Sequence, residues 1–131
     1  MAINRVATAT PATYSDSVTA TGAGQWVYVS GQLPVGPDGE IAGGGLRAQV
    51  SACLDNVEAS LARAGVSLQD VVRITAYLTD LTDYGEYAAV RGERFAGALP
   101  ASAAVGVASL LAGALIEVDA VAFISAEGSE E

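Results

Sequence analysis

Apolar residues recur at three- and four-residue steps over residues 46–64. Leu46, Val50, Cys53, Leu54, Val57, Leu61 and Ala64 fall on one stripe, which predicts an amphipathic helix. Gly65 follows as its left-handed stop. From residue 71 the period changes to two. Val72, Ile74, Ala76 and Leu78 alternate with Arg73, Thr75, Tyr77 and Thr79, which predicts a strand with one buried face. Residues 25–30, rich in β-branched and aromatic side chains, predict an earlier strand. Trp26, Tyr28 and Ser30 share one of its faces, and Val27, Val29 and Gly31 the other. Residues 34–40 are dense in turn chemistry, and Gly43, Gly44 and Gly45 read as a hinge. Asp83 opens a second helix, with Glu86 three residues on in a capping-box-like pair. Tyr84, Tyr87, Ala88, Arg91 and Phe95 lie on one side of it, and Gly97 and Pro100 stop it. Residues 101–108 and 115–125 predict two more strands, joined around residues 110–113. Residues 13–18 are polar.

The order predicts an α+β domain over residues 1–125: a mixed sheet of five or six strands with two helices on one face. An acidic tail, 126–131, is expected to be disordered. Two helices cannot cover both sheet faces. The last two strands nevertheless place Ala103, Val105, Val107, Ile116, Val118, Ala120 and Ile124 on some faces and Ala104, Leu115, Val121 and Phe123 on others. Apolar residues on both faces predict oligomerisation.

Composition narrows the chemistry. The 131 residues are 51% hydrophobic and 16% charged, which excludes a disordered chain. Fifteen acids face six bases, all arginine, for a net charge of −9. Such a field repels phosphate backbones, so no nucleic-acid partner is expected. There is no histidine and no lysine, which removes the commonest general base and any side-chain Schiff base. The lone Cys53 excludes an internal disulfide, and its place on the helix stripe predicts a buried, inert thiol. No apolar run is long enough to cross a bilayer, and the start lacks a signal-peptide core. The expectation is a cytoplasmic protein with no membrane partner.

The segments Val29-Ser-Gly-Gln-Leu-Pro, Gly39-Glu-Ile-Ala-Gly-Gly, Asp55-Asn-Val, Asp70-Val-Val-Arg-Ile-Thr, Tyr77-Leu-Thr-Asp-Leu, Pro100-Ala and Ile116-Glu-Val-Asp-Ala are each weak signals. In this order and spacing the chain resembles the RidA/YjgF family over residues 12–124. The resemblance implies a chorismate-mutase-like fold and a homotrimer whose sheets form a central barrel. It implies clefts shared by two subunits that hydrolyse reactive enamines and imines such as 2-aminoacrylate, with no metal and no organic cofactor. In active members an arginine of a Pro-Ala-Arg motif grips the substrate carboxylate, a glutamate on the last strand activates water, and a tyrosine and a Ser-Gly pair line the cleft. Carried over position by position, the tyrosine matches Tyr14 and the Ser-Gly pair matches Ser30 and Gly31. The glutamate position holds Asp119, one methylene shorter. The arginine position holds Ser102, and an asparagine frequent in the second helix is replaced by Ala88.

Losing a charged hydrogen bond forfeits roughly 1.5–3 kcal/mol. Asp119 keeps its charge, so an anionic substrate is expected to meet net repulsion and 2-aminoacrylate to be a poor substrate. Ser102 marks either a pocket re-tuned for a neutral or cationic ligand or a family fold that has lost its activity. Glu117 and Asp119 share one strand face, either as an acid/base pair or as a solvated surface; the family position makes Asp119 the catalytic candidate and leaves Glu117 structural. Tyr14, Ser30, Gly31 and Ser102 are the ligand-binding candidates. Arg91 can replace the missing cation, although a surface charge is the simpler expectation, and Arg73 is expected in an ion pair. Two functions remain open: a RidA-like enzyme acting on an imine, enamine or related intermediate, and a non-catalytic trimer binding a metabolite or a pathway partner. A ribonuclease, an activity sometimes attached to the family, is disfavoured by the net charge and by the absence of lysine and histidine.

Overall fold

The computed structural model describes residues 2–126. Six strands, β1 (Ile3–Ala7), β2 (Ser15–Ala20), β3 (Gly24–Gln32), β4 (Val71–Leu78), β5 (Ala101–Gly106) and β6 (Ile116–Ser125), form one mixed sheet in the order β1-β2-β5-β4-β6-β3. The β2–β5 and β4–β5 pairs are parallel and the remaining pairs antiparallel. Helices α1 (Leu46–Arg63) and α2 (Tyr84–Arg94) cover one face. The predicted α+β class and the two-helix, six-stranded arrangement are what the structure shows.

The core follows the two periodicities. Val50, Cys53, Leu54, Val57 and Leu61 on α1, with Tyr87 and Val90 on α2, pack on Ile74, Ala76, Leu78, Ile116, Val118, Ala120 and Ala122. Three polar side chains fasten α1 to the chain that leaves β3. Asn56 Nδ2 donates to the carbonyls of Leu33 and Val35. Gln49 donates to Ala42 O and accepts from Leu115 N. Cys53 Sγ donates to Gln32 O at 3.2 Å. Gly44 and Gly45 hold φ of 96° and 87° directly before α1, a left-handed turn that only glycine adopts without strain rather than a loose hinge.

Three local expectations change. The polar segment before residue 20 contains β2, which together with β1 closes one edge of the sheet. Arg5 secures that edge by donating to Gln69 O, Val71 O and Leu99 O. Asp83 makes no side-chain cap on α2. Asp80 instead caps a short 3₁₀ turn over Leu81–Asp83, accepting from Thr82 N, while Glu86 pairs with Arg47 of α1. Of the expected acidic tail, only Ala126, in a turn, is among the described residues; residues 127–131 lie outside them.

The face of the sheet away from the helices is partly bare. Trp26 is 51% exposed, Tyr28 76% and Val105 40%. Among the described residues no helix is long and apolar enough to cross a membrane.

Burial, reinforced by Glu117, pushes the Cys53 thiol up to about 12 from an ordinary 9.0. The unfolded thiol ionises first, so this group lowers stability as pH rises above about 9 and has no effect below it. At pH 8 a disulfide reagent is expected to label Cys53 only after urea unfolding, and Cys53→Ala to flatten the alkaline decline in Tm; rapid labelling of the native chain would show that the helix stripe is open.

Candidate functional site

Side chains of a strand alternate between faces, and residues paired across neighbouring strands share a face. Ser102 of β5 pairs with Ile74 of β4, which pairs with Ala120 of β6. Ile74 and Ala120 are buried under the helices, so Ser102 points to the helix side. Asp119 pairs with Thr75, which pairs with Ala103, so Asp119 points to the bare face. The sequence candidates therefore separate into two groups. Tyr14, Arg91 and Ser102 gather on the helix side; Ser30, Gly31 and Asp119 belong to the other.

On the helix side Arg91 is 1% exposed, which corrects the expectation of a surface charge. It lies on the inward stripe of α2, one turn after Tyr87. Nε donates to Thr13 O at 3.0 Å, and Nη2 donates to Thr13 Oγ1 at 2.7 Å and to the Tyr84 hydroxyl at 2.8 Å. Nη1 donates to Ser102 Oγ at 2.9 Å. The rings of Tyr14, Tyr84 and Tyr87 stand 5.1, 5.5 and 4.9 Å from the guanidinium carbon, cation–π contacts worth about 0.5–2 kcal/mol each. Among the described residues no carboxylate pairs with Arg91. The guanidinium lines a cleft of about 290 Å³ with Tyr14, Leu81, Tyr84, Ser102 and Ala104. Ser102 of β5 thus touches an arginine supplied by α2. Within one chain Asp119 lies across the sheet from this cleft.

On the bare face β3 carries an extra residue between Val29 and Gln32, opposite the β6 segment that contains Asp119. Such bulges re-aim a strand locally, and this one consists of Ser30 and Gly31. A Cβ at Gly31 would stand 2.0 Å from Glu117 Oε2, so glycine there leaves room for a carboxylate against the backbone. The Tyr77 hydroxyl donates to Asp119 Oδ2 at 2.8 Å. That hydrogen bond, followed by burial and the Asp119 charge, holds the Tyr77 hydroxyl above its ordinary value and keeps it protonated. Among the described residues Arg73 does not form the expected ion pair. No cluster of three or more metal-ligating side chains occurs among them either.

The family profile described as endoribonuclease L-PSP matches residues 4–124. The RutC family protein PH0854 of Pyrococcus horikoshii is 39% identical over 84% of this chain and 86% of its own length. The 2-iminobutanoate/2-iminopropanoate deaminase of Rattus norvegicus is 37% identical over 73% of this chain and 71% of its own. Among solved structures, a protein of unknown function of the conserved Rid family, YyfB from Yersinia pestis, superposes with a TM-score of 0.83 at 28% identity, over 95% of this chain and all of that one.

The sequence candidates omit Thr13, Tyr84, Tyr77 and Gly92. An arginine at helical spacing from Tyr84 and Tyr87, on a helix that must bury one side, was the available signal for Tyr84; Thr13, 78 positions from Arg91, carries none. Gly92 shows no signal in sequence: a Cβ there would stand 2.6 Å from Thr13 Cγ2, so only glycine lets Thr13 close on Arg91. Gly92→Ala is expected to destabilise by about 1–3 kcal/mol, as overpacking does, read as a lower urea midpoint; an unchanged midpoint would mean that Thr13 is not fixed against α2.

Proposed function

The chain belongs to the endoribonuclease L-PSP family, to which the RidA/YjgF proteins belong, and we propose that it acts on an imine, enamine or related carbonyl-derived intermediate in a cleft shared between copies of the chain. The observation that carries this reading is the separation of the candidate residues onto opposite sheet faces. Ser102 and Asp119 cannot reach one ligand from within a single protomer. A second copy, set so that its bare face approaches the first copy's Tyr14, Arg91 and Ser102, brings both groups together. The exposed Trp26, Tyr28 and Val105 provide apolar surface for that contact, and a homotrimer is the proposed assembly. A cytoplasmic location is proposed with it.

The chemistry needs a polarised C=N carbon, a water and one proton acceptor. Asp119, oriented by Tyr77, takes a proton from water as the oxygen adds to the imine carbon. Asp119 passes that proton to the nitrogen, and transfer of the carbinolamine hydroxyl proton to the same nitrogen expels ammonia, leaves a carbonyl compound and returns Asp119 to its starting form. Atoms and charge balance without a cofactor. The Ser30–Gly31 bulge and the helix-side group hold the substrate. General base catalysis by one positioned carboxylate contributes roughly 10²–10⁴ in rate. The relative named an imine deaminase supports this reaction class. A ribonuclease is not proposed, since a net charge of −9 without histidine or lysine repels a phosphate backbone.

Asp119→Asn, assayed by ketoacid formation from freshly generated 2-iminobutanoate, is expected to lose roughly a hundredfold or more in kcat with the assembly mass unchanged. Wild-type turnover in that variant would remove Asp119 from the mechanism. Binding without conversion of any imine by the wild-type protein would favour a ligand-binding trimer instead. Light scattering is expected to give three times the chain mass, and a monomer at micromolar concentration would end the shared-cleft reading.

A further inference from the structure

We propose that Arg91 is the anion-binding residue of the helix-side cleft, moved from the sheet to α2, and that the cleft takes a small carboxylate carrying an apolar substituent. This rests on the reading of that cleft as a ligand site. Three observations carry it. The first is charge. Arg91 is buried and without a carboxylate partner among the described residues. Tyrosine faces offset part of the cost of burying a cation, and a full counter-charge is still missing.

The second is the direction of the hydrogen bonds. A guanidinium has five N–H donors, and four of Arg91's are engaged: one each by Thr13 O, Thr13 Oγ1, Tyr84 and Ser102. The fifth, on Nη1, remains. Ser102 and Tyr84 each accept from Arg91, so each hydroxyl keeps its own hydrogen to donate. Both line the cleft. One N–H and two O–H groups around a fixed positive charge form a donor array, which fits an acceptor-only oxyanion and disfavours a cation or an amine.

The third is an orphan. Among the described residues the Tyr87 hydroxyl is the one buried side-chain polar atom without a hydrogen-bond partner. Burial raises it above its ordinary value while neighbouring Arg91 and Ser102 draw it back. The buried hydroxyl stands beside Arg91 and Ser102, which themselves line the cleft. The remaining walls, Leu81 and Ala104, are apolar and set the character of the ligand's other end. Ser102 is then a positioning residue: it holds Nη1 and leaves space that an arginine side chain on β5 would fill.

The test uses stable probes, 2-oxobutanoate and its uncharged amide, by isothermal titration of the wild-type trimer. The carboxylate is expected to bind at least tenfold tighter than the amide. Arg91→Met is expected to abolish that preference by weakening the carboxylate far more than the amide, and Ser102→Ala, which keeps the charge and removes one donor, to weaken the carboxylate several-fold. Ser102→Arg alone is expected to weaken the carboxylate by crowding two guanidinium groups, and Ser102→Arg with Arg91→Ser to recover it. Should Arg91→Met fail to fold, the wild-type preference and the Ser102 variants decide alone. Equal binding of acid and amide by the wild type, or a folded Arg91→Met that keeps its preference, would overturn the proposal. Carboxylate preference with no imine turnover would leave this site standing and remove the enzymatic reading; turnover of neutral imines with no preference would do the reverse.

Discussion

In a pleated sheet neighbouring residues on a strand face opposite ways, and the arrangement of this protein's chemistry depends on that alternation. Through the registers of β4, β5 and β6, Ser102 lies beside the buried Ile74 and Asp119 beside Thr75. A one-residue slip of β5 or β6 would exchange the faces. The slip is prevented by the same apolar set that makes the core: Ile116, Val118, Ala120 and Ala122 can all be buried under the helices in one register only. Core packing therefore dictates that the two halves of the candidate site look in opposite directions, and any function using both halves is a property of an assembly.

The helix-side half is organised around one buried charge. A guanidinium out of water needs its donors satisfied and its charge offset. Thr13, Tyr84 and Ser102 engage four of its five N–H groups and three tyrosine rings offset part of the charge. Holding Thr13 close enough requires Gly92 to lack a side chain. Ser102 is thus tied to a set of residues in α2 and the segment before β2. The overall charge of −9 says little about this cleft, because fields from exposed carboxylates fade within roughly 8 Å at physiological salt.

The α1 stripe and the alternation of β4 were legible because burial imposes a period on long segments, and each fixes its element with a residue or two of latitude. β1 and β2 were not, because Asn4, Arg5, Asp16, Ser17 and Thr19 sit on a sheet edge where one face meets solvent and the period weakens. The family motifs identified Tyr14, Ser30, Gly31, Ser102 and Asp119 as a group, but a motif carries no information on which sheet face each occupies. Arg91 was misjudged because arginine is ordinarily exposed and its partner Thr13 lies 78 positions away. That contact exists only once α2 has packed against the sheet edge.

The account stands or falls on whether one ligand site takes residues from two copies of the chain. The direct measurement is complementation: Arg91→Met and Asp119→Asn chains, once each is shown to be inactive alone on a carboxylate-bearing imine, are co-refolded in equal amounts and assayed for its hydrolysis. If each cleft draws its helix-side group from one copy and its carboxylate from the next, random assembly leaves both intact in about a quarter of the sites, and activity should return to about that fraction of wild type. Mixed assemblies of full mass with no recovered activity would contradict it.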